Sequence, residues 1–106
     1  MPLLNKKIVT GWLAFPLVIK KNANFSRNDL QIYLEKKGIQ TRAIFTGNIL
    51  RQPMCQNISS KVLEEGYPNA DRVMARGVLL PLHHGMTESM FSRLHDTIHK
   101  FTEQYD

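Results

Sequence analysis

The apolar residues of this chain are divided into short runs, and this division limits what the chain can fold into. The segments Gly11–Lys20, Ile39–Phe45 and Val78–Leu82 are mostly apolar or alternate between apolar and polar residues. Such segments predict β-strands, and they are far shorter than the roughly eighteen apolar residues that a membrane-spanning helix needs. Pro16 has no amide hydrogen to donate, so we expect it at a sheet edge or at a bulge.

Signals for helices lie between these strands. Ser26 and Asp29 have the spacing of a capping box at the start of a helix that ends at Gly38, and Thr87 caps a final helix. A shorter helix is predicted over Ala70–Arg76. The residues expected to face the core from the first and last helices are Leu30, Tyr33, Leu34, Met90, Phe91, Leu94, Ile98, Phe101 and Tyr105.

The predicted order of elements is strand, helix, strand, loop, short helix, strand, helix. This order predicts an α/β (α+β) two-layer sandwich in which helices pack on a small three-stranded sheet. A chain of 106 residues is long enough for one hydrophobic core. We therefore expect residues 1–10 to form a flexible N-terminal segment and residues 11–106 to form a single small domain. Residues 46–60 lack periodicity and predict a long loop, followed by a short helical turn at 61–66.

The net charge of the chain is +5, from 14 Lys and Arg residues against 9 Asp and Glu residues. This balance favours an anionic partner, such as nucleic acid, a phosphate-bearing metabolite or an acidic protein surface. The basic residues are scattered and no RNA-recognition motif accompanies them, which argues against sequence-specific nucleic-acid binding. A free-standing basic module that binds nucleic acid or a phosphorylated metabolite remains the alternative function.

The cysteine content and the N-terminus bear on the compartment. Cys55 is the only cysteine, so an internal disulfide cannot form. The first residues show neither the apolar run nor the cleavage site of a secretory signal peptide. We therefore expect a cytoplasmic protein with no membrane partner.

Two patterns contain candidate binding residues. The segment from Thr41 to Pro53 holds two arginines, a glycine–asparagine turn and a glutamine. A guanidinium presents a rigid fork of donors to phosphate, and a side-chain amide offers a donor and an acceptor to sugar hydroxyls. A surface turn with solvated arginines explains these residues about equally well. The pair His83–His84 before Gly85 is either a polar turn or a means of holding one imidazole at the sheet rim to donate to a ligand.

A third pattern lies on the last predicted helix. His95 and His99 are four residues apart, as in the zinc motif HExxH, but Asp96 replaces the glutamate. The shorter acid would hold its carboxylate farther from a metal-bound water, and no third ligand is evident. We expect solvated side chains here and no metal site.

Four segments together resemble a known family. The segments GWLAFPLVIK, LEKKGIQTR, IFTGNILRQP and NADRVMARGVLLPLHHGMT, with the closing amphipathic helix, resemble the C-terminal domain of the pyridoxal-phosphate-dependent nucleotide-sugar aminotransferases of the DegT group. The resemblance covers roughly residues 10–105. The pattern TRxxFxGNxxRQP resembles the lipopolysaccharide-sugar branch that includes 3-dehydratases, whereas LLPLHHGMT is closer to the aminotransferases, so the reaction subtype stays open.

The resemblance implies a fold-type I enzyme whose large domain holds pyridoxal phosphate while this small domain covers the active-site cleft. The Schiff-base lysine, or the histidine that replaces it in the dehydratases, would lie in that large cofactor-binding domain. This chain would then be a fragment with no catalytic residue and no bound cofactor, inactive alone, of an enzyme that acts as a homodimer in deoxysugar or lipopolysaccharide biosynthesis. Neither nucleic acid nor a membrane is an expected partner. The residues that the resemblance assigns to nucleotide-sugar binding are Arg42, Asn48, Arg51, Gln52, Arg72, His83 and His84.

Overall fold

The strands and helices follow one another along the chain in the predicted order, and they form the predicted small α+β fold. The structure is a computed structural model that describes Lys7, Val9 and residues 11–105. Apart from Lys7 and Val9, the predicted flexible segment 1–10 lies outside the described residues. The elements are β1 (Ala14–Val18), α1 (Arg27–Lys36), β2 (Arg42–Ala43), α2 (Pro68–Arg76), β3 (Gly77–Pro81) and α3 (Glu88–Thr102).

The central strand of the sheet is β3, with β1 and β2 paired to it in antiparallel fashion on either side. Leu79 of β3 lies opposite Pro16 of β1 and Arg42 of β2. Directly opposed residues project to the same face of a sheet, so these three residues share one face, which we call the open face. Pro16 lies in an edge strand, where its missing amide costs no ladder bond, as predicted.

The opposite face of the sheet forms the hydrophobic core with α1 and α3. Val78 and Leu80 of β3 are buried there. They pack with Leu34 of α1, with Phe101 of α3 and with Ile39, which follows α1. Burying each of these side chains contributes roughly 1.5–3 kcal/mol relative to leaving it in water. The core therefore fixes which face of β3 is inward and which residues, Leu79 among them, belong to the open face.

Both long helices begin at the predicted caps. Ser26 Oγ accepts a hydrogen bond from the amide of Asp29 at 3.2 Å, and the amide of Ser26 donates to Asp29 Oδ2 at 2.8 Å. The bond from the Ser26 backbone, followed by that from its hydroxyl, holds the pKa of Asp29 below its ordinary value. Thr87 Oγ1 accepts from the amide of Met90. Gly38 follows α1 with φ of 72°, the left-handed conformation expected of a glycine that ends a helix.

The predicted second strand, Ile39–Phe45, is wrong over most of its length, because only Arg42–Ala43 pair with β3. The amide of Thr41 donates to Glu35 Oε1 at 2.6 Å, so a side chain of α1 takes the backbone group that a longer strand would use. The alternation placed Phe45 on an apolar face, but Phe45 is 93% exposed. Local side-chain capture of the backbone therefore overrides the alternating pattern.

The helices differ from prediction in three further respects. Helix α2 begins two residues early, at Pro68, which suits the first helical turn because its missing amide has no partner to lose. Residues 61–66 form no helix. Met90 and Phe91, assigned to the buried stripe of α3, are 48% and 44% exposed. None of the three helices in the described part of the chain has the length and apolarity needed to cross a membrane.

The predicted loop contains two short 3-10 turns, Ile49–Arg51 and Pro53–Cys55, and it lies against α2. Gly47 enters the loop with φ of +74°, and a Cβ atom built on it would lie 2.6 Å from Met74 Cγ of α2. Glycine is therefore required at this position both for its backbone conformation and for the close approach of the loop to the helix.

Replacing Gly47 by alanine should destabilise the chain more than the same change at Gly66. Both glycines have positive φ, but a Cβ at Gly66 meets nothing within 4 Å. We expect Gly66→Ala to cost roughly 1–2 kcal/mol from backbone strain, and Gly47→Ala to cost about 1–3 kcal/mol more from overpacking. Urea unfolding midpoints measure both. Equal losses in the two variants would contradict the close packing of Gly47 on Met74.

Candidate functional site

The carboxylate of Asp71, on α2, holds the loop that carries most of the predicted binding residues. Asn48 Nδ2 donates to Asp71 Oδ1 at 2.8 Å. Arg51 donates from Nε to Asp71 Oδ1 and from Nη2 to Oδ2, the latter at 2.7 Å. This two-point contact between a guanidinium and a carboxylate is geometrically specific as well as ionic. One acid on a helix therefore fixes two residues of the neighbouring loop.

Asn48 is the buried member of this network, at 6% exposure. Its Oδ1 accepts from the amide of Leu50 at 3.1 Å, which caps the first 3-10 turn, while its Nδ2 contacts Asp71. Both polar atoms of the amide thus have partners inside the fold. Arg51 differs, since its side chain is 63% exposed and Nη1 has no partner among residues 11–105.

The charges of the network move the pKa values of both ionic partners. The hydrogen bonds from Arg51, and then that from Asn48, lower the pKa of Asp71 from 3.8 to about 2. The bond to Asp71 in turn raises the pKa of Arg51. The network is therefore fully charged near neutral pH. Asp71 was not among the predicted site residues, because an acid 20 positions from Arg51 leaves no local pattern in the sequence.

Gln52 closes the same loop. Its Nε2 donates to the carbonyl oxygen of Thr46 at 3.0 Å, and its side chain is half-buried. The Nε2 bond leaves Oε1 as the acceptor that the amide still offers. Gln52 thus follows Arg51 directly in the chain and, like Asn48 and Arg51, helps to shape the loop.

Arg42 and His83 border one concavity of about 420 Å³ on the open face of the sheet. Gln40 and Leu79 line it as well, and Arg42 has no side-chain partner among the described residues. The structure thus brings together two predicted residues that are 41 positions apart. Gln40 was not predicted, since a single glutamine beside a helix end gives no signal in a sequence.

His83 and His84 are held differently. The Nδ1 atom of His83 accepts from the amide of Gly85 at 3.1 Å, so a neutral His83 ring carries its proton on Nε2. The centroids of the two imidazole rings are 6.4 Å apart, and the ring planes are nearly perpendicular. His83, and not His84, lines the concavity with Arg42.

Arg72 lies apart from the other predicted residues. It lines a second concavity, of about 620 Å³, together with Lys20 and Lys21 at the end of β1. The predicted set is therefore divided among the Asp71 loop, the concavity of Arg42 and His83, and the surroundings of Arg72, and His84 lies in none of these three places.

The histidines of α3 contact acids that are near them in the chain. The Nδ1 atom of His95 lies 3.3 Å from Oδ1 of Asp96, and the Nδ1 atom of His99 lies 3.1 Å from Oε1 of Glu103. In the part of the chain that the structure describes, no three His, Cys, Asp or Glu side chains are grouped as metal ligands. The pair on α3 thus has no third ligand beside it there.

Comparison with known proteins assigns this architecture to a family. A model described as the DegT/DnrJ/EryC1/StrS aminotransferase family matches residues 2–99. The chain belongs to the DegT/DnrJ/EryC1/StrS aminotransferase family. The resemblance seen in the sequence is thereby confirmed, and the match includes every residue that was predicted to bind a ligand. The match establishes membership of the family, but it assigns no role to any of these predicted binding residues.

Two curated proteins are similar to this chain. One is the lipopolysaccharide biosynthesis protein RfbH of Salmonella typhimurium (strain LT2), 31% identical over 87 residues, which are 82% of this chain and 20% of that protein. The other is the dTDP-4-dehydro-2,6-dideoxy-D-glucose 3-dehydratase of Saccharopolyspora spinosa, 30% identical over 91 residues, which are 86% of this chain and 20% of that enzyme. The chain spans about a fifth of the length of these relatives.

Acid should protonate Asp71 only at unusually low pH. Its pKa is lower in the folded chain than the ordinary 3.8, so the contact stabilises the fold above about pH 4 and is lost as the pH falls towards 2. Carbon-13 NMR of the Asp71 carboxyl group should show a midpoint near 2. Arg51→Gln should raise this midpoint towards 3.8, and Asn48→Ala should raise it less. An unchanged midpoint in Arg51→Gln would contradict the network.

Proposed function

We propose that this chain is the C-terminal domain of a pyridoxal-phosphate-dependent nucleotide-sugar aminotransferase or 3-dehydratase of deoxysugar or lipopolysaccharide biosynthesis. In this proposal residues 11–106 form a small domain that covers the active-site cleft of a larger enzyme and contacts its nucleotide-sugar. Family membership and the two relatives support the class of enzyme. The observation that carries the contact with the ligand is the concavity shared by Arg42 and His83.

Within that concavity each side chain has a distinct role in the proposal. Arg42 is exposed and directs its guanidinium donors to a phosphate of the ligand. His83 donates from Nε2 to a sugar hydroxyl, since its Nδ1 atom is occupied by Gly85. Leu79 supplies an apolar floor that keeps water away from these hydrogen bonds. Gln40 adds an amide with both a donor and an acceptor.

The other predicted residues act less directly in the proposal. Asn48 is a positioning residue, because both atoms of its amide are used inside the fold. Arg51 is held by Asp71, which uses two of its five N–H donors, and Gln52 uses one of its two amide N–H donors on the Thr46 carbonyl group. His84 lies outside the concavity.

Pyridoxal phosphate needs a lysine, or a histidine in the dehydratases, at its aldehyde, an acid or equivalent group at its pyridine nitrogen and donors for its phosphate, all in one site. The lysines and histidines among residues 11–105 are all exposed, and the concavity of Lys20, Lys21 and Arg72 has no acid on its walls. The described residues do not fit this cofactor. In the proposal the cofactor belongs to the large domain of a homodimeric enzyme, and the 106-residue chain is inactive alone.

Exposed apolar side chains support a place within a larger enzyme. Phe45, Ile49, Met54 and Ile58 lie close together in the chain and are 93%, 59%, 79% and 58% exposed. Clusters of exposed apolar side chains are typical of surfaces that contact another protein or another domain. The proposed large domain is such a partner.

Binding of a nucleotide-sugar to the chain tests the proposal. In nitrogen-15 NMR titrations with a dTDP-sugar and a CDP-sugar, we expect the amides of Arg42 and His83 to shift at millimolar ligand, since half of the cleft is absent. Arg42→Gln and His83→Gln should each weaken binding about tenfold, which corresponds to one hydrogen bond to a charged group or one well-placed donor.

Two control variants and a second ligand sharpen this test. Lys36→Gln removes a charge on α1 away from the concavity, and His84→Gln removes the neighbouring imidazole; both should bind like the unmodified chain. No shift at Arg42 and His83, or an equal loss of affinity in the controls, would reject the proposal. Binding of a random oligonucleotide instead, with a steep dependence on salt, would favour the alternative of a nucleic-acid-binding module.

A further inference from the structure

Three cations surround the second concavity on the open face. Its floor is apolar and includes Pro16 and Val18, and its rim carries Lys20, Lys21 and Arg72. No aspartate or glutamate is among the residues that line it, and its volume is about 620 Å³. Its walls are therefore cationic and its floor is apolar.

The backbone holds these cations together. The amide of Ile19 donates to the carbonyl oxygen of Arg76 at 3.1 Å, which joins the end of β1 to the end of α2. A turn follows at once, closed by the amide of Ala23 and the carbonyl oxygen of Lys20 at 3.2 Å. Arg72 lies one helical turn before Arg76 on the same side of α2. The lysine pair is thereby placed beside Arg72 by main-chain contacts.

The charges of this concavity are not neutralised within the fold. Among residues 11–105, Lys20, Lys21 and Arg72 make no side-chain hydrogen bond or ion pair. Other arginines do have acceptors: Arg27 donates to the carbonyl oxygen of Met74, and Arg93 to that of Lys37. Like charges held close together repel one another, and a bound anion removes that repulsion.

We propose that the concavity of Lys20, Lys21 and Arg72 binds the phosphate or diphosphate group of a small phosphorylated ligand. Arg72 offers a fork of donors that matches phosphate oxygens, and the two lysines add mobile point charges. The apolar floor contacts the uncharged part of the ligand. A single group of three cations around one concavity suits a small anion, whereas a nucleic-acid backbone needs a longer basic stripe. This site is separate from the concavity of Arg42 and His83 and does not depend on the function proposed for it.

Titration of the nitrogen-15-labelled chain with inorganic pyrophosphate tests the site. We expect the amides of Lys20, Lys21, Asn22 and Arg72 to shift and to saturate. Arg72→Gln should weaken binding about tenfold, the loss expected for one charge-assisted contact. The fold should survive this change, because the Arg72 side chain is exposed and has no partner among the described residues. An unchanged spectrum at α1 and α3 verifies this.

Lys36→Gln is the matched control, since it removes one positive charge from an exposed position outside the concavity. It should leave the affinity for pyrophosphate unchanged. Shifts spread over all exposed basic residues without saturation, or an equal loss in Lys36→Gln and Arg72→Gln, would overturn the proposal.

A second titration, with a nucleotide-sugar, distinguishes two possible sources of the bound group: a free or differently carried phosphate, and the diphosphate of the nucleotide-sugar itself. If the ligand of the site is a free or differently carried phosphate, pyrophosphate binds here while a nucleotide-sugar shifts only Arg42 and His83. If the diphosphate of the nucleotide-sugar itself binds here, the nucleotide-sugar shifts both groups of residues and displaces pyrophosphate. Failure of pyrophosphate and nucleotide-sugar alike to shift Lys20, Lys21 and Arg72 rejects this site and leaves the test at Arg42 and His83 unaffected.

Discussion

The carboxylate of Asp71 fixes the geometry of the loop between β2 and α2. It accepts hydrogen bonds from Asn48 and Arg51, and so it ties the first 3-10 turn of the loop to the helix. Bonds to a charged acceptor are roughly twice as strong as neutral ones, and an unsatisfied buried amide is costly. The loop is therefore anchored although it lacks regular structure. Gly47 adds to this anchor by allowing the backbone to approach Met74.

The supply of acceptors decides which basic residues remain for a ligand. Arg51 is occupied by a carboxylate, whereas Arg27 and Arg93 are occupied by backbone carbonyl groups. Arg42 and Arg72 have no such partner in the described part of the chain, and both lie at concavities. The motif that contains both Arg42 and Arg51 thus holds one arginine that is paired with an acid and one that has no side-chain partner among the described residues. Residue type and spacing alone do not separate them.

Features determined by neighbouring residues were predicted well from the sequence. The capping box of Ser26 and Asp29, the cap at Thr87 and the left-handed Gly38 depend on contacts within a few positions, which a local pattern contains. Buried positions such as Leu34 follow from helical periodicity.

Features determined by distant residues were predicted poorly. Thr41 bonds to Glu35 rather than to a strand, and Phe45 points to solvent, because tertiary contacts overrule a short alternating pattern. Asp71 meets a loop 20 residues away, and Arg72 meets a lysine pair about 50 residues away. The motifs located the polar loop and the histidine turn, yet only the fold shows which side chains share a concavity. The binding role of each residue stays a prediction.

The two concavities are separate but lie next to each other on the open face of the sheet. Pro16 lines one concavity and Ala14 lines the other, and both belong to the same face of β1. Residues two apart in a strand are separated by roughly 7 Å, so the concavities adjoin along the strand. Arg42 thus stands on one side of an apolar strip and Arg72 on the other. The opposite face of the sheet is occupied by the hydrophobic core. The positive charges of both concavities, which have no acidic partner among the described residues, therefore lie at the open face, where they favour an anionic ligand over a neutral one.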